Sequence, residues 1–125
     1  MRRRKSPEHE LQCAIMDYWN LMGRRDMRLV AIPNGELRHI NVARRLKDEG
    51  VRPGTPDLVV TLEGGRAGWL ECKARRGGLS DEQIGFRAIV ERLGHHWALV
   101  RTVDDAAMAL ASWGALRGPG WKDAA

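Results

Sequence analysis

Two acids and a lysine, Asp57, Glu71 and Lys73, stand close together in the stretch T-P-D-L-V-V-T-L-E-G-G-R-A-G-W-L-E-C-K-A-R-R from Thr55 to Arg76. Carboxylates are hard oxygen ligands, and Mg²⁺ or Mn²⁺ is typically held by one or two of them with several waters retained. Such an ion polarises a phosphodiester and lowers the pKa of an attacking water. An ammonium group beside it can orient that water and offset the charge that develops. These residue types fit metal-dependent phosphodiester hydrolysis. Asp57 and Glu71 would be the ligands, the main-chain carbonyl of Cys72 a third oxygen, and Lys73 the group that serves the water.

Other chemistries lack their residues. The sequence has no G-x-x-x-x-G-K-[ST] loop, no G-x-G-x-x-G, no H-E-x-x-H and no G-x-S-x-G. Neither Cys13 nor Cys72 has zinc-type or redox spacing or an evident partner histidine, and each reads as a small buried hydrophobe in a reducing cytosol. His95 and His96 are adjacent, so on a strand they point to opposite faces and make a poor metal pair. A sugar cleft would want more aromatic residues and no lysine.

The elements that must position the acids follow from periodicity. Leu58, Val60 and Leu62 alternate with Asp57, Val59 and Thr61, which predicts a strand; Gly64-Gly65 marks a turn, and Ala67 to Ala74 predicts the returning strand. On that second strand Leu70, Cys72 and Ala74 share one face, while Trp69, Glu71, Lys73 and Arg75 share the other. Upstream, Ser6 and Pro7 open a helix with Leu11, Ala14, Ile15, Tyr18 and Met22 at helical spacing and Gly23 as its stop. Glu8 lies at the edge of that stripe. It serves either as a first-turn acid favourable to the helix dipole or as a group looking into a neighbouring cleft.

Leu29 to Ile32 predicts a short buried strand ended by Pro33-Asn34-Gly35. Asn41 to Glu49 predicts a helix with Val42, Ala43 and Leu46 inward. Ser80-Asp81-Glu82-Gln83 has the form of a capping box, opening a helix to about Leu93 with Ile84, Ala88, Ile89, Val90 and Leu93 inward. Gln83 is thereby a capping residue or a contact to the site that the helix start adjoins. His95 to Arg101 reads as a strand, and Asp104 to Trp113 as a helix with Ala107, Met108 and Leu110 inward. The expected organisation is a basic arm over residues 1–6, one domain over 7–113 and a loose tail over 114–125.

At 125 residues and 43% hydrophobic, the chain has enough apolar material for one modest core, and no apolar run approaches a membrane span or a signal core. The formal charge of +5 resides mostly in Arg2, Arg3, Arg4 and Lys5, leaving about +1 for the rest. That arm either holds phosphates through counterion release or is a solubilising tail. Arg38, Arg44, Arg45 and Lys47 by the second helix, with Arg75 and Arg76 after the second hairpin strand, are candidates for touching a DNA backbone. A solvated charged face is the alternative for them.

Pro56-Asp57, thirteen intervening residues and Glu71-Cys72-Lys73 make up the PD-(D/E)xK signature of restriction-endonuclease-like nucleases. The flanks Pro33-Asn34-Gly35, Gly54-Thr55-Pro56-Asp57-Leu58 and Leu79-Ser80-Asp81-Glu82-Gln83 come in the order seen in the VRR-NUC family. Glu8-x-x-Leu11-Gln12 resembles that family's first helix, so the resemblance spans roughly residues 8–103. It implies an α/β fold with a restriction-endonuclease-like α-β-β-β-α-β core, a small mixed sheet flanked by helices. It also implies catalytic roles for Asp57, Glu71, Lys73, Glu8 and Gln83. Asp57 and Glu71 would hold Mg²⁺ or Mn²⁺, with Glu8 reaching the ion directly or through water. Many family members carry a hydrophobic residue where Cys72 stands.

Small stand-alone members imply cleavage of branched DNA such as Holliday junctions in a bacterial cytoplasm or phage-infected host. Two symmetric cuts would call for a homodimer. A nickase, flap or restriction-like nuclease using the same site, or a non-catalytic DNA-binding module, remains the alternative.

Overall fold

The structure, a computed structural model, describes residues 6–33 and 40–118. Residues 1–5 of the basic arm, Asn34, Gly35, Arg38 and Trp121 lie outside the described residues. Four helices and four strands follow in order: α1 (Pro7–Met22), β1 (Leu29–Ala31), α2 (Ile40–Asp48), β2 (Leu58–Thr61), β3 (Ala67–Cys72), α3 (Asp81–Arg92), β4 (His96–Val100) and α4 (Val103–Ser112). This is an α/β fold whose α-β-β-β-α-β order carries α2 as an insertion between β1 and β2 and α4 as an addition. None of the described helices is long and apolar enough to cross a membrane.

The sheet order is β1-β2-β3-β4, with β1 and β2 antiparallel, β2 and β3 antiparallel, and β3 and β4 parallel. A short turn, Glu63–Gly65, closes the β2–β3 hairpin at the expected glycines. The parallel pair needs a crossover, and α3 supplies it.

Strand alternation divides the sheet into two faces. On one, Leu58, Val60, Leu70, Cys72 and Val100 meet Ile15 and Trp19 of α1 and Ala106 and Leu110 of α4 in a continuous buried core. On the other, Trp69 packs edge-on to Phe86 of α3 at 4.9 Å, and the Arg87 guanidinium lies over the Trp97 ring at 4.6 Å. The Ser6 side chain caps α1 by accepting from the His9 amide at 3.1 Å.

Several sequence expectations are corrected. In α1 the fully packed residues are Ile15 and Trp19, while Met22 is exposed. Strand β1 is an edge strand, so only Leu29 is buried and Val30 faces out. Val42 of α2 is exposed, and Ala43 and Leu46 are half-buried.

Helix α3 is rotated from the expected phase. Val90 is buried and Gln83 and Phe86 are half-buried, whereas Ile84, Ala88, Ile89 and Leu93 are exposed. The Phe86–Trp69 and Arg87–Trp97 contacts turn Phe86 and Arg87 toward the sheet and leave those apolar residues outward. Likewise α4 buries Ala106 and Leu110 and exposes Met108. Cys13 is exposed, its sulfur 3.5 Å from His9 Nε2.

The segment after α4 is not loose over residues 114–118. Ala115 is fully buried, its carbonyl accepts from the Arg24 amide at 2.9 Å, and the Arg117 amide donates to the Met22 carbonyl at 2.8 Å.

Candidate active site

Leu58 pairs with Leu70 in the β2–β3 ladder, so the next position outward sets Asp57 against Glu71. Both side chains lie off the core face, at the sheet end where β2 starts and β3 finishes. Asp57 is fixed by the Cys72 amide, which donates to its Oδ2 at 2.8 Å, and the Asp57 carbonyl accepts from the Ile32 amide at 2.8 Å. The Cys72 side chain is buried in the core, as the alternation requires.

Glu71 is the only buried charged residue among those described, 4% exposed. Its Oε1 receives the Gln83 Nε2 at 2.5 Å and lies 3.9 Å from the Lys73 Nζ. Its Oε2 is buried with no hydrogen-bond partner. A buried carboxylate oxygen left without a donor is costly unless something cationic or protic meets it.

Burial foremost, then the Asp57 carboxylate, pushes the Glu71 carboxyl up to about 7, against the lowering influence of Lys73. Burial also raises Asp57, opposed by the bond from Cys72 and by Lys73. Two acids side by side in a partly buried place thus resist losing both protons together.

Gln83 closes the capping box and also reaches Glu71. Its Oε1 accepts from the Ser80 amide at 2.9 Å while the Ser80 hydroxyl accepts from the Gln83 amide at 3.2 Å, completing the capping box. The same side chain's Nε2 is then aimed at Glu71. The cap uses the amide oxygen and the acid uses the amide nitrogen, so the two contacts do not compete.

Glu8 comes from the first turn of α1, where its Oε1 accepts a long bond from the Ala74 amide at 3.4 Å. It is near enough to raise Asp57 and Glu71 electrostatically. Among the described residues no three His, Cys, Asp or Glu side chains converge tightly enough to enclose an ion by themselves. The residues present therefore fit a hard cation on two carboxylates and a main-chain oxygen with water completing the shell, the arrangement Mg²⁺ favours. The Asp57 and Glu71 carboxyls lie close enough to share a proton when no ion is bound, and the buried Glu71 Oε2, which meets no other donor, is the observation that carries this fit.

Asp57, Glu71 and Gln83 line one end of a cleft of about 700 Å³, whose opposite wall is α2 and the loop 51–55. Arg44 lines this cleft, as do Lys47 and Arg52. Arg45 does not; it is exposed and lies 3.7 Å from Glu49. Lys73 and Arg75 border a smaller groove with Pro7, Leu11 and Arg101, and Arg76 is exposed.

Two residues that sequence reasoning missed shape the surroundings. Arg101, at the end of β4, donates to the Ala74 carbonyl at 2.6 Å and the Gly77 carbonyl at 2.7 Å, clamping the chain that leaves Lys73. Arg52 donates to the Lys47 carbonyl at 2.8 Å. Neither has a sequence signal, because the partners are backbone oxygens.

No protein-family model matches the chain, and no curated protein matches it. Solved structures do. One described as "VRR_NUC domain protein" superposes with a TM-score of 0.70 at 16% identity, over 89% of this chain and 90% of that one. Another, described as "VRR_NUC domain", gives a TM-score of 0.59 at 16% identity, over 86% of this chain and 97% of that one. With most of its length superposed on both, the chain has the fold of the VRR_NUC domain proteins.

Proposed function

We propose that this protein is a Mg²⁺- or Mn²⁺-dependent DNA endonuclease that hydrolyses phosphodiester bonds and selects branched DNA such as Holliday junctions. The observation that supports it most is the buried, unpartnered Glu71 Oε2 beside Asp57 at the end of an open cleft, with Lys73 3.9 Å from the other oxygen of the same acid.

A bound divalent ion supplies polarisation of the phosphodiester and a more acidic attacking water. Asp57, Glu71 and the Cys72 carbonyl would hold it. Gln83 fixes Glu71 Oε1, which would leave Oε2 to hold the ion. Lys73 orients the water and offsets its charge, and Glu8 is the auxiliary acid, acting through water. Arg44, Lys47, Arg75 and Arg76 offer phosphate contacts around the site. Two cuts on a two-fold junction call for two copies of the chain, and the proposed setting is the cytoplasm of a bacterial or phage-infected cell.

The test compares a synthetic four-way junction with linear duplex and single strand, under Mg²⁺, Mn²⁺ and EDTA. Junction cleavage that EDTA abolishes is expected. Asp57→Asn and Lys73→Ala should each lower the rate by about 10² or more while junction binding persists. Full activity in both variants would sink the mechanism, and tight binding by wild type without any metal-dependent cleavage would favour a binding module.

A further inference from the structure

The cleft beside the acids has an apolar side as well as a charged one. Its far wall is Ala43, Leu46, Val51 and Pro53, and its cations Arg44, Lys47 and Arg52 are matched by Asp48, Asp57 and Glu71. A duplex shows a protein its phosphates and sugars, so it would leave an apolar wall without a partner and would want a cationic groove. An unstacked base has the flat apolar face that such a wall can cover.

The wall is also pre-formed. Helix α2 ends in a Schellman turn, with the Val51 amide donating to the Leu46 carbonyl at 2.9 Å and the Gly50 amide to the Lys47 carbonyl at 3.1 Å. Gly50 takes φ +107°, the left-handed conformation that turn needs. Arg52 ties the loop back to Lys47. On the other side Gly54, at φ +87°, presses against α3 so closely that a Cβ there would stand 2.4 Å from the Glu82 carbonyl oxygen. These contacts hold the apolar wall at a fixed distance from Gln83 and the acid pair.

We infer that this cleft receives one unpaired nucleotide, its base against Ala43, Leu46, Val51 and Pro53 and its phosphate toward the divalent ion that Asp57 and Glu71 would hold. The inference rests on the nuclease reading for the phosphate and on the cleft for the base. It makes the preferred cut site a nucleotide that is already unstacked, as at a branch point, where the cost of extruding a base is least.

The experiment uses duplexes with one unpaired nucleotide at a fixed position, the same duplex with an abasic unpaired site, and the fully paired duplex. With the wild-type protein and Mn²⁺, cleavage beside the unpaired base should exceed that beside the abasic site by about tenfold, as expected for burying on the order of 50 Å² of apolar surface on the base. Leu46→Asp and the cleft-filling Ala43→Leu, each checked for native circular dichroism, should bring that ratio close to one. In parallel, 2-aminopurine is placed at the unpaired position and bound by Asp57→Asn protein. Its emission should rise on binding and stay unchanged when Leu46→Asp is added.

Equal wild-type cleavage of based and abasic sites with no emission change would overturn the inference and leave the nuclease reading standing. An emission change that depends on Leu46, with no cleavage of any DNA by wild type, would overturn the nuclease reading and leave the cleft assignment standing. Neither cleavage nor emission change would overturn both.

Discussion

Glu71 is the carboxyl at the site that the fold pushes strongly upward. Its carboxyl is pushed from the ordinary 4.5 up to about 7, so the folded chain prefers it protonated. The stability this confers is fully present below about pH 4.5 and is lost as pH rises through about 7, and Asp57, also raised, acts in the same direction. The loss is on the order of 3 kcal/mol for Glu71. A cation on Glu71 Oε2 reverses this, because it needs the ionised acid and displaces the proton. Thermal unfolding without divalent ions should therefore fall in midpoint from pH 5 to pH 8. Stabilisation by Mn²⁺ should grow over the same interval. Glu71→Gln should flatten the first trend, raise the metal-free midpoint at pH 8 and remove the Mn²⁺ effect. A midpoint that rises with pH in metal-free wild type would contradict the assignment.

At the scale of elements, the site depends on how closely the 51–55 loop meets α3. Gly54→Ala places a methyl 2.4 Å from the Glu82 carbonyl, in a backbone conformation that side chains seldom adopt. A loss of about 1–3 kcal/mol in urea unfolding is expected, together with weaker Mn²⁺ binding by calorimetry, because the loop must move off Gln83. The elements also show what a sequence can disclose. The β2–β3 hairpin was legible because its signal is local: alternation alone put Glu71 and Lys73 on the face opposite Leu70 and Cys72, and the fold agrees. The capping box at Ser80 was legible for the same reason. The rotation of α3 was not, since Phe86 and Arg87 take their direction from tryptophans on two other strands. Nor were Arg52 and Arg101 legible, because each donates to main-chain oxygens that every residue type offers. That Gln83 serves both cap and acid follows only once Glu71 is known to lie within reach of its nitrogen.

Across the whole molecule the sheet separates two tasks. One face builds the core with α1 and α4, and the other, under α3, carries the acids. Among the described residues there is one such constellation, so paired cuts on a symmetric junction would require a second copy. Light scattering should give the mass of two chains at working concentration, or on binding a four-way junction. A single-chain mass in both conditions would refute paired cutting by a dimer, while cleavage itself could persist as single nicks.

The amide of Gln83 gives this arrangement a dynamic consequence. Helix ends fray, opening and closing far more often than helix middles or strand centres. Here the first turn of α3 cannot open without withdrawing the Gln83 nitrogen from Glu71, since one side chain closes both. Opening that turn far enough to withdraw the Gln83 side chain would remove the hydrogen bond that holds Glu71 Oε1. The readiness of the site is then a fluctuating quantity, paced by the breathing of a single helix turn.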